Sequence, residues 1–312
     1  MRILDAAAVA AATPYPALID ALADAFAGRV ACTAPPRGHH AVPRPGEADR
    51  TLLVMPAWGA DGLTVVKLVN AVPGNAMRGL PSVMGQVLVS DAETGDWAAC
   101  LDGATLTARR TAAASALAAR CLAREDAATM AMLGTGALAR PLIEAMATVR
   151  PLKAVRVWGR SADKAAAVAA WAAQRGLAAQ ACGLEEAVRG ADIVSCATLS
   201  SEPLVRGAWL APGMHLDLVG AFKPSMRETD AAAVAAATVF VDTRAGALVE
   251  GGDLVQASAE GAFAAGEEAA DLAALCTGLH PGRQGPAEVT LFKSVGASIE
   301  DFAAARLALG VR

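Results

Sequence analysis

The chain has 312 residues, a formal net charge of −4, 54% hydrophobic residues with only 4% aromatics, and six cysteines. That length fits two domains with cores of their own. No run approaches the roughly 18 strongly apolar residues of a membrane span, and no stripe of Lys and Arg offers the basic footprint that nucleic-acid binding needs. Cys32, Cys100, Cys121, Cys182, Cys196 and Cys276 form no CxxC and have no histidine at ligand spacing. They read as reduced thiols of a cytoplasmic protein, with no metal site.

The start, "MRILDAAAVAAATPYPALIDALADAFAG", reads as helix within residues 1–30. Asp5 interrupts the approach to the alanine run, which argues against a signal peptide. Leu18, Ala21, Leu22 and Phe26 share one face before Gly28 stops the helix. His39 and His40, adjacent and so divergent on any regular element, read as loop histidines. Residues 31–103 then carry the short β-rich runs "RTLLVMPAW", "LTVVKLVNAV" and "SVMGQVLVSDAETGDWAACLD". These predict an antiparallel sheet, with "DAETGD" as a hairpin turn and Gly95 at positive φ. "TLTARRTAAASALAARCLAR" predicts a long helix beginning near Thr105–Thr107, where threonines can cap free amides.

After Glu125 strands and helices alternate. "ATMAMLG", "AVRVWGR", "ADIVSCAT", "MHLDLVGA" and "ATVFVDT" read as strands, and "ALARPLIEAMATV" and "SADKAAAVAAWAAQRG" as helices. Such alternation builds a parallel, doubly wound α/β sheet. The end, "EVTLFKSVGASIEDFAAARLALG", reads as a loop and then a helix.

"MAMLGTGALAR" sets Gly134-x-Gly136-x-x-Ala139 between a strand and a helix. The first glycine permits the tight turn, the second lets backbone approach a pyrophosphate, and the small third residue lets helix and strand pack closely. The helix N-terminus then offers free amides and a positive dipole end to phosphates. Gly134, Thr135, Gly136, Ala137, Leu138 and Ala139 are therefore candidate dinucleotide ligands, with Thr198 at the end of "ADIVSCAT" as a further one. The second strand ends "VWGRSADK", with Arg160 where an NAD site usually holds an acid. Arg160, Ser161 and Lys164 suit a 2′-phosphate, so NADP(H) is favoured over NAD(H).

Outside this region, Lys67 stands among Val and Leu in "TVVKLVNAVPGN". A lysine there must meet an anion, lose its proton, or reach solvent from an edge strand. Arg109 and Arg110, in "LTARRTAAAS", are expected in the first turn of a helix, where the dipole disfavours cations. An anion bound between guanidinium and free amides would repair that mismatch.

The stretches "KLVNAVPGNAMRGLPSVMGQVLVSDAETGDWAACLDGATLTARRTAAAS", "GTGALAR" and "TLFKSVGASIEDFAAARL" together resemble the ornithine cyclodeaminase/mu-crystallin family, in order and over nearly the whole chain. The resemblance implies a Rossmann domain, residues 116–287, inserted in a discontinuous α+β substrate and dimerisation domain, residues 1–115 plus 288–312. It implies a homodimer. It places the substrate-carboxylate arginines on Arg37 and Arg110, the active-site lysine on Lys67, and cofactor neighbours on Lys293, Ser294, Val295 and Gly296.

One departure bears on the reaction. Deaminating members carry an aspartate two residues after the Val-Gly of the loop that here reads "LVGAFKPSMRE"; Phe222 takes its place. Glu228, six residues on, is expected to cap or to face solvent. A cyclic imine carboxylate needs no such acid, because no water attacks and no ammonia leaves. The resemblance is accordingly strongest to the Δ1-pyrroline-2-carboxylate/Δ1-piperideine-2-carboxylate (ketimine) reductase branch, with Arg110 and Arg37 on the carboxylate, Lys67 assisting, and Phe222 beside the ring. The alternatives are ornithine cyclodeaminase, an alanine dehydrogenase or amine-condensing synthase, and an NADPH-linked binder of mu-crystallin type.

Overall fold

The computed structural model describes residues 1–46, 49–264 and 269–311. Arg312, the end of the expected 288–312 segment, lies outside them. The chain divides into two compact units, residues 1–110 with 297–312, and residues 111–296. In chain order the first stretch holds β1 (Arg2–Leu4), α1 (Ala6–Ala12), α2 (Tyr15–Phe26), β2 (Cys32–Thr33), β3 (Gly38–Val42), β4 (Arg50–Gly59), β5 (Thr64–Ala71), β6 (Val83–Ser90), β7 (Trp97–Asp102) and α3 (Gly103–Leu122). Then follow β8 (Thr129–Leu133), α4 (Ala139–Val149), β9 (Ala154–Trp158), α5 (Ala162–Ala173), β10 (Ala178–Ala181), α6 (Leu184–Val188) and β11 (Ile193–Cys196). Next come β12 (His215–Leu218), α7 (Ala231–Ala235), β13 (Thr238–Val241), α8 (Arg244–Glu250), α9 (Gly252–Ala259), β14 (Ala270–Asp271), α10 (Leu272–Thr277) and β15 (Thr290–Lys293). The last element is α11 (Ser298–Leu309).

The single helix expected within residues 1–30 is a strand and two helices. Asp5 does not merely interrupt the run: its carboxylate accepts from the Ala8 amide at 2.8 Å and starts α1. Pro14 offers no amide to continue it, and α1 and α2 meet at 73°. No single helix among the described residues is long and apolar enough to cross a membrane.

The first unit is built on a sheet of order β1-β7-β6-β5-β4-β2, with β3 also pairing β4. Every pair is antiparallel except β1 with β7. Strand alternation gives it one buried face: Met55, Ala57, Val65, Val69, Val87, Val89, Ala99 and Leu101 point inward. Leu18 and Leu22 of α2 and Phe302 of α11 are fully buried in the same unit. The expected hairpin joins β6 and β7, with Asp91 accepting from the Glu93 and Thr94 amides and Gly95 at φ +73°.

Helix α3 starts earlier than its threonines suggested. Asp102 accepts from the Thr105 amide at 2.8 Å, so the aspartate provides the cap. Gly103 opens the helix, and the position requires glycine because a Cβ there would lie 2.5 Å from the backbone of Gly85. Arg109 and Arg110 are therefore beyond the first turn and its free amides.

The second unit holds a wholly parallel sheet of order β10-β9-β8-β11-β12-β15-β13-β14. Strand order reverses between β8 and β11, and in such sheets ligands bind beyond the carboxyl ends at that point. The stretch expected as a loop after residue 288 is in fact β15, inserted between β12 and β13. All four of its residues are buried, so it shows no alternation to read. Residues 288–296 accordingly fall in the second unit, and the division lies between Gly296 and Ala297.

Candidate functional site

In the first unit, Lys67 lies on β5, an interior strand, between Met55 of β4 and Val87 of β6. It is 1% exposed, which removes the edge-strand reading. Its Nζ is 2.8 Å from Asp301 Oδ1 and 2.7 Å from Oδ2. Arg110, also buried, places Nη1 2.5 Å from Glu300 Oε2 and Nε 3.0 Å from Asp301 Oδ1. The Glu300 Oε1 accepts from the Ala297 amide at the start of α11. Both acids sit in the first turn of α11, where the dipole favours carboxylates.

The result is a buried square of two cations and two anions. Burial pulls the Lys67 ammonium down to about 8, Arg110 pushes the same way, and Asp301 opposes both. With Arg110 beyond the first turn the expected dipole mismatch does not arise, and the anions beside it are two carboxylates distant in sequence. Neither Glu300 nor Asp301 was singled out from sequence, although "ASIED" is a helix-start pattern carrying acids into a buried element.

Arg109 takes another direction. Its guanidinium stacks 4.2 Å from the Tyr15 ring and donates to Thr13, tying α3 to the turn between α1 and α2. Arg37 is half-buried and immediately precedes β3. His39 and His40 are on β3, not in a loop, and both are exposed. Among the described residues, no group of three His, Cys, Asp or Glu could hold a metal ion.

In the second unit, the glycine loop leaves β8 at the switch point. Gly134 has φ +113°, and a Cβ there would lie 2.5 Å from the Ala197 carbonyl oxygen. A Cβ on Gly136 would meet nothing within 4 Å, and Gly136 and Ala137 are both exposed. Thr135 and Leu138 are half-buried, while Ala139 is 1% exposed and opens α4. The loop therefore presents open backbone at a helix N-terminus, the arrangement that receives phosphate. Arg160 and Lys164 are exposed beyond β9, and Ser161 caps α5 by accepting from the Lys164 amide.

The loops after β11 and β12 are pinned by Glu228, which is fully buried and does not face solvent. Its Oε1 accepts from the Thr198 amide at 2.7 Å and the Thr198 hydroxyl at 2.8 Å. Its Oε2 accepts from the amides of Gly220 at 2.7 Å and Ala221 at 3.2 Å. Gly220 is required, since a Cβ would lie 2.1 Å from the Thr198 oxygen. Burial raises the Glu228 carboxyl, with Lys293 opposing. Phe222 is half-buried against the unit's apolar core, its amide bonded to the Gly220 carbonyl.

Lys293 departs from expectation. Its side chain is fully buried and pairs with Asp253 at 3.0 Å, so its ammonium is turned into the core. Asp253 also accepts from the Glu228 and Thr229 amides. The rest of that stretch is shaped by Asp242, whose Oδ2 accepts from the Ser294 hydroxyl and the Val295 and Gly296 amides. Gly296 holds φ +81°. Asp242 and Asp253 had no motif to mark them.

Residues 2–309 match the ornithine cyclodeaminase/mu-crystallin family. The chain is 39% identical over 258 residues to the Δ1-pyrroline-2-carboxylate reductase of Paracoccus denitrificans, covering 80% of each chain. It is 35% identical over 256 residues to the ketimine reductase mu-crystallin of Mus musculus, covering 81% of this chain and 78% of that one. Among solved structures, the Δ1-pyrroline-2-carboxylate reductase of Thermococcus litoralis, in complex with NADH and L-proline, superposes with a TM-score of 0.93 at 32% identity, over 100% of this chain and 97% of that one.

Proposed function

We propose that this chain, which belongs to the ornithine cyclodeaminase/mu-crystallin family, reduces a small cyclic imino acid with a nicotinamide cofactor. The substrate is Δ1-pyrroline-2-carboxylate or Δ1-piperideine-2-carboxylate, and the product L-proline or L-pipecolate. The names of the relatives support the reaction class. The observation that carries the choice within the family is the loop from Val219 to Glu228. Phe222 stands where deaminating members hold an acid, and Glu228 is occupied by four hydrogen bonds.

The protonated imine takes hydride at C2; the C=N π electrons become the lone pair on nitrogen, which gains a proton from the medium to give the ammonium form. The cofactor's contribution is that hydride. The chain's own residues bind and orient. Arg110, with Arg37, holds the carboxylate through charge-assisted hydrogen bonds. Lys67 shares that role and can hold or release a proton at Nζ, its ammonium being lowered by burial. Phe222 lines the ring methylenes. In the second unit, Gly134 to Ala139 receive the pyrophosphate, with Thr198, Ser294 and Gly296 beside the dinucleotide. The open space at Gly136 and the exposure of Gly136 and Ala137 fit that group. Arg160, Ser161 and Lys164 take a 2′-phosphate, which makes NADPH the preferred donor.

The chain acts as a homodimer in this reading. The first unit's sheet supports it: Trp58, Met84 and Trp97 are 41%, 42% and 48% exposed, and Pro56, Val66 and Leu88 form one apolar row across β4, β5 and β6. Stoichiometric conversion of the imine to L-proline or L-pipecolate with NADPH oxidation tests the reaction. Ornithine-dependent ammonia release would overturn it.

A further inference from the structure

We infer that Asp301 is the positioning residue of this site: it holds Lys67 as an ammonium ion beside Arg110, so that the two cations act as one ligand for a carboxylate. The inference rests on the imino-acid reading above and adds a residue to it.

The geometry is specific. One carboxylate spans both cations, reaching Lys67 Nζ at 2.7 and 2.8 Å and Arg110 Nε at 3.0 Å. Three elements converge there, β5 with Lys67, α3 with Arg110 and α11 with Asp301. The charged groups facing Lys67 are Arg110, Asp301 and Glu300, while its strand neighbours Met55 and Val87 are apolar. Without Asp301, a buried lysine next to an arginine would lose its proton, because burial and the like charge act in the same direction. Glu300 also favours the ammonium, but it is the weakest of the influences on Lys67, and its oxygens bond Arg110 and the Ala297 amide.

The test follows the Lys67 Nζ titration directly, by NMR of the full chain with isotope-labelled lysine, the resonance being assigned by its loss in Lys67→Met. L-proline affinity of the NADP+ complex is measured over the same pH range, in which the charges of proline itself do not change. In Asp301→Asn the Lys67 midpoint is expected to move to lower pH by about one unit or more, and proline affinity at neutral pH to fall about tenfold or more. In Lys67→Arg, which keeps the ion pair with Asp301, the alkaline loss of proline binding is expected to disappear. An unmoved midpoint in Asp301→Asn, or an alkaline limb that persists in Lys67→Arg, would overturn the role of Asp301. Should Asp301→Asn fail to fold, the Lys67→Arg limb decides. Should the wild type bind no proline while the Lys67 midpoint still moves in Asp301→Asn, the substrate reading fails and the control of Lys67 stands.

Discussion

Glu228 and Gly220 meet through a 2.7 Å hydrogen bond from backbone amide to buried carboxylate, and the same carboxylate gathers Ala221 and Thr198. Two loops at the carboxyl ends of parallel strands are thereby held by one side chain. Glu228→Gln keeps the shape but turns an NH2 group toward amide donors. The expected cost is about 2–4 kcal/mol in urea unfolding, the penalty for unsatisfied buried donors. Weaker NADPH binding should accompany it. Unchanged stability would show that the amides find other acceptors.

The glycine loop separates two effects. Gly134→Ala places a Cβ against the Ala197 carbonyl at a backbone angle that alanine rarely adopts, so the melting temperature should fall. Gly136→Ala has room in the free protein. It should keep its stability while NADPH affinity drops, because the added methyl occupies the approach to the phosphates. Equal cofactor affinity in Gly136→Ala, read by fluorescence titration, would remove that loop from the site.

Arg160 is exposed just beyond the end of β9. Arg160→Asp should move the ratio of kcat/KM for NADPH over NADH toward NADH by about tenfold or more, through lost attraction and added repulsion at the 2′-phosphate. A ratio that stays put would assign the 2′-phosphate elsewhere.

Asp217 on β12 is fully buried, and burial raises its carboxyl from 3.8 to about 6, with a 2.6 Å hydrogen bond from Ser195 opposing. A carboxyl raised on folding contributes stability that is fully present below its unfolded value and is lost as pH rises through about 6. Asp217→Asn should therefore flatten stability across that window and raise it near neutral pH, by about 1–3 kcal/mol. Denaturant unfolding at several pH values checks this; a variant less stable than wild type at neutral pH would contradict it.

Much of the fold was legible because its signals are local. Gly134-x-Gly136-x-x-Ala139 is a contiguous stretch whose physics is contained in a few residues, and the turn at Gly95 is another. Lys67 and Arg110 stood out because a cation in apolar or small-residue surroundings conflicts with its neighbours. What resolves the conflict was not legible: Asp301 pairs with Lys67 across more than two hundred positions, and no spacing rule links them. Asp242, Asp253 and Glu228 are hidden for the same reason, each satisfying backbone amides of other segments. β15 was missed because four consecutive buried residues carry no period. The pairing of Lys293 with Asp253 was equally hidden, since the two stand forty positions apart and both side chains are fully buried.

The most direct test of the central claim is a side-by-side assay of NADPH and NADH oxidation with Δ1-pyrroline-2-carboxylate, Δ1-piperideine-2-carboxylate and pyruvate plus ammonia, together with ammonia release from ornithine. Oxidation is expected with at least one cyclic imine, faster with NADPH, and none of comparable rate with pyruvate plus ammonia. Robust ammonia release from ornithine, or no oxidation with either imine, would contradict it.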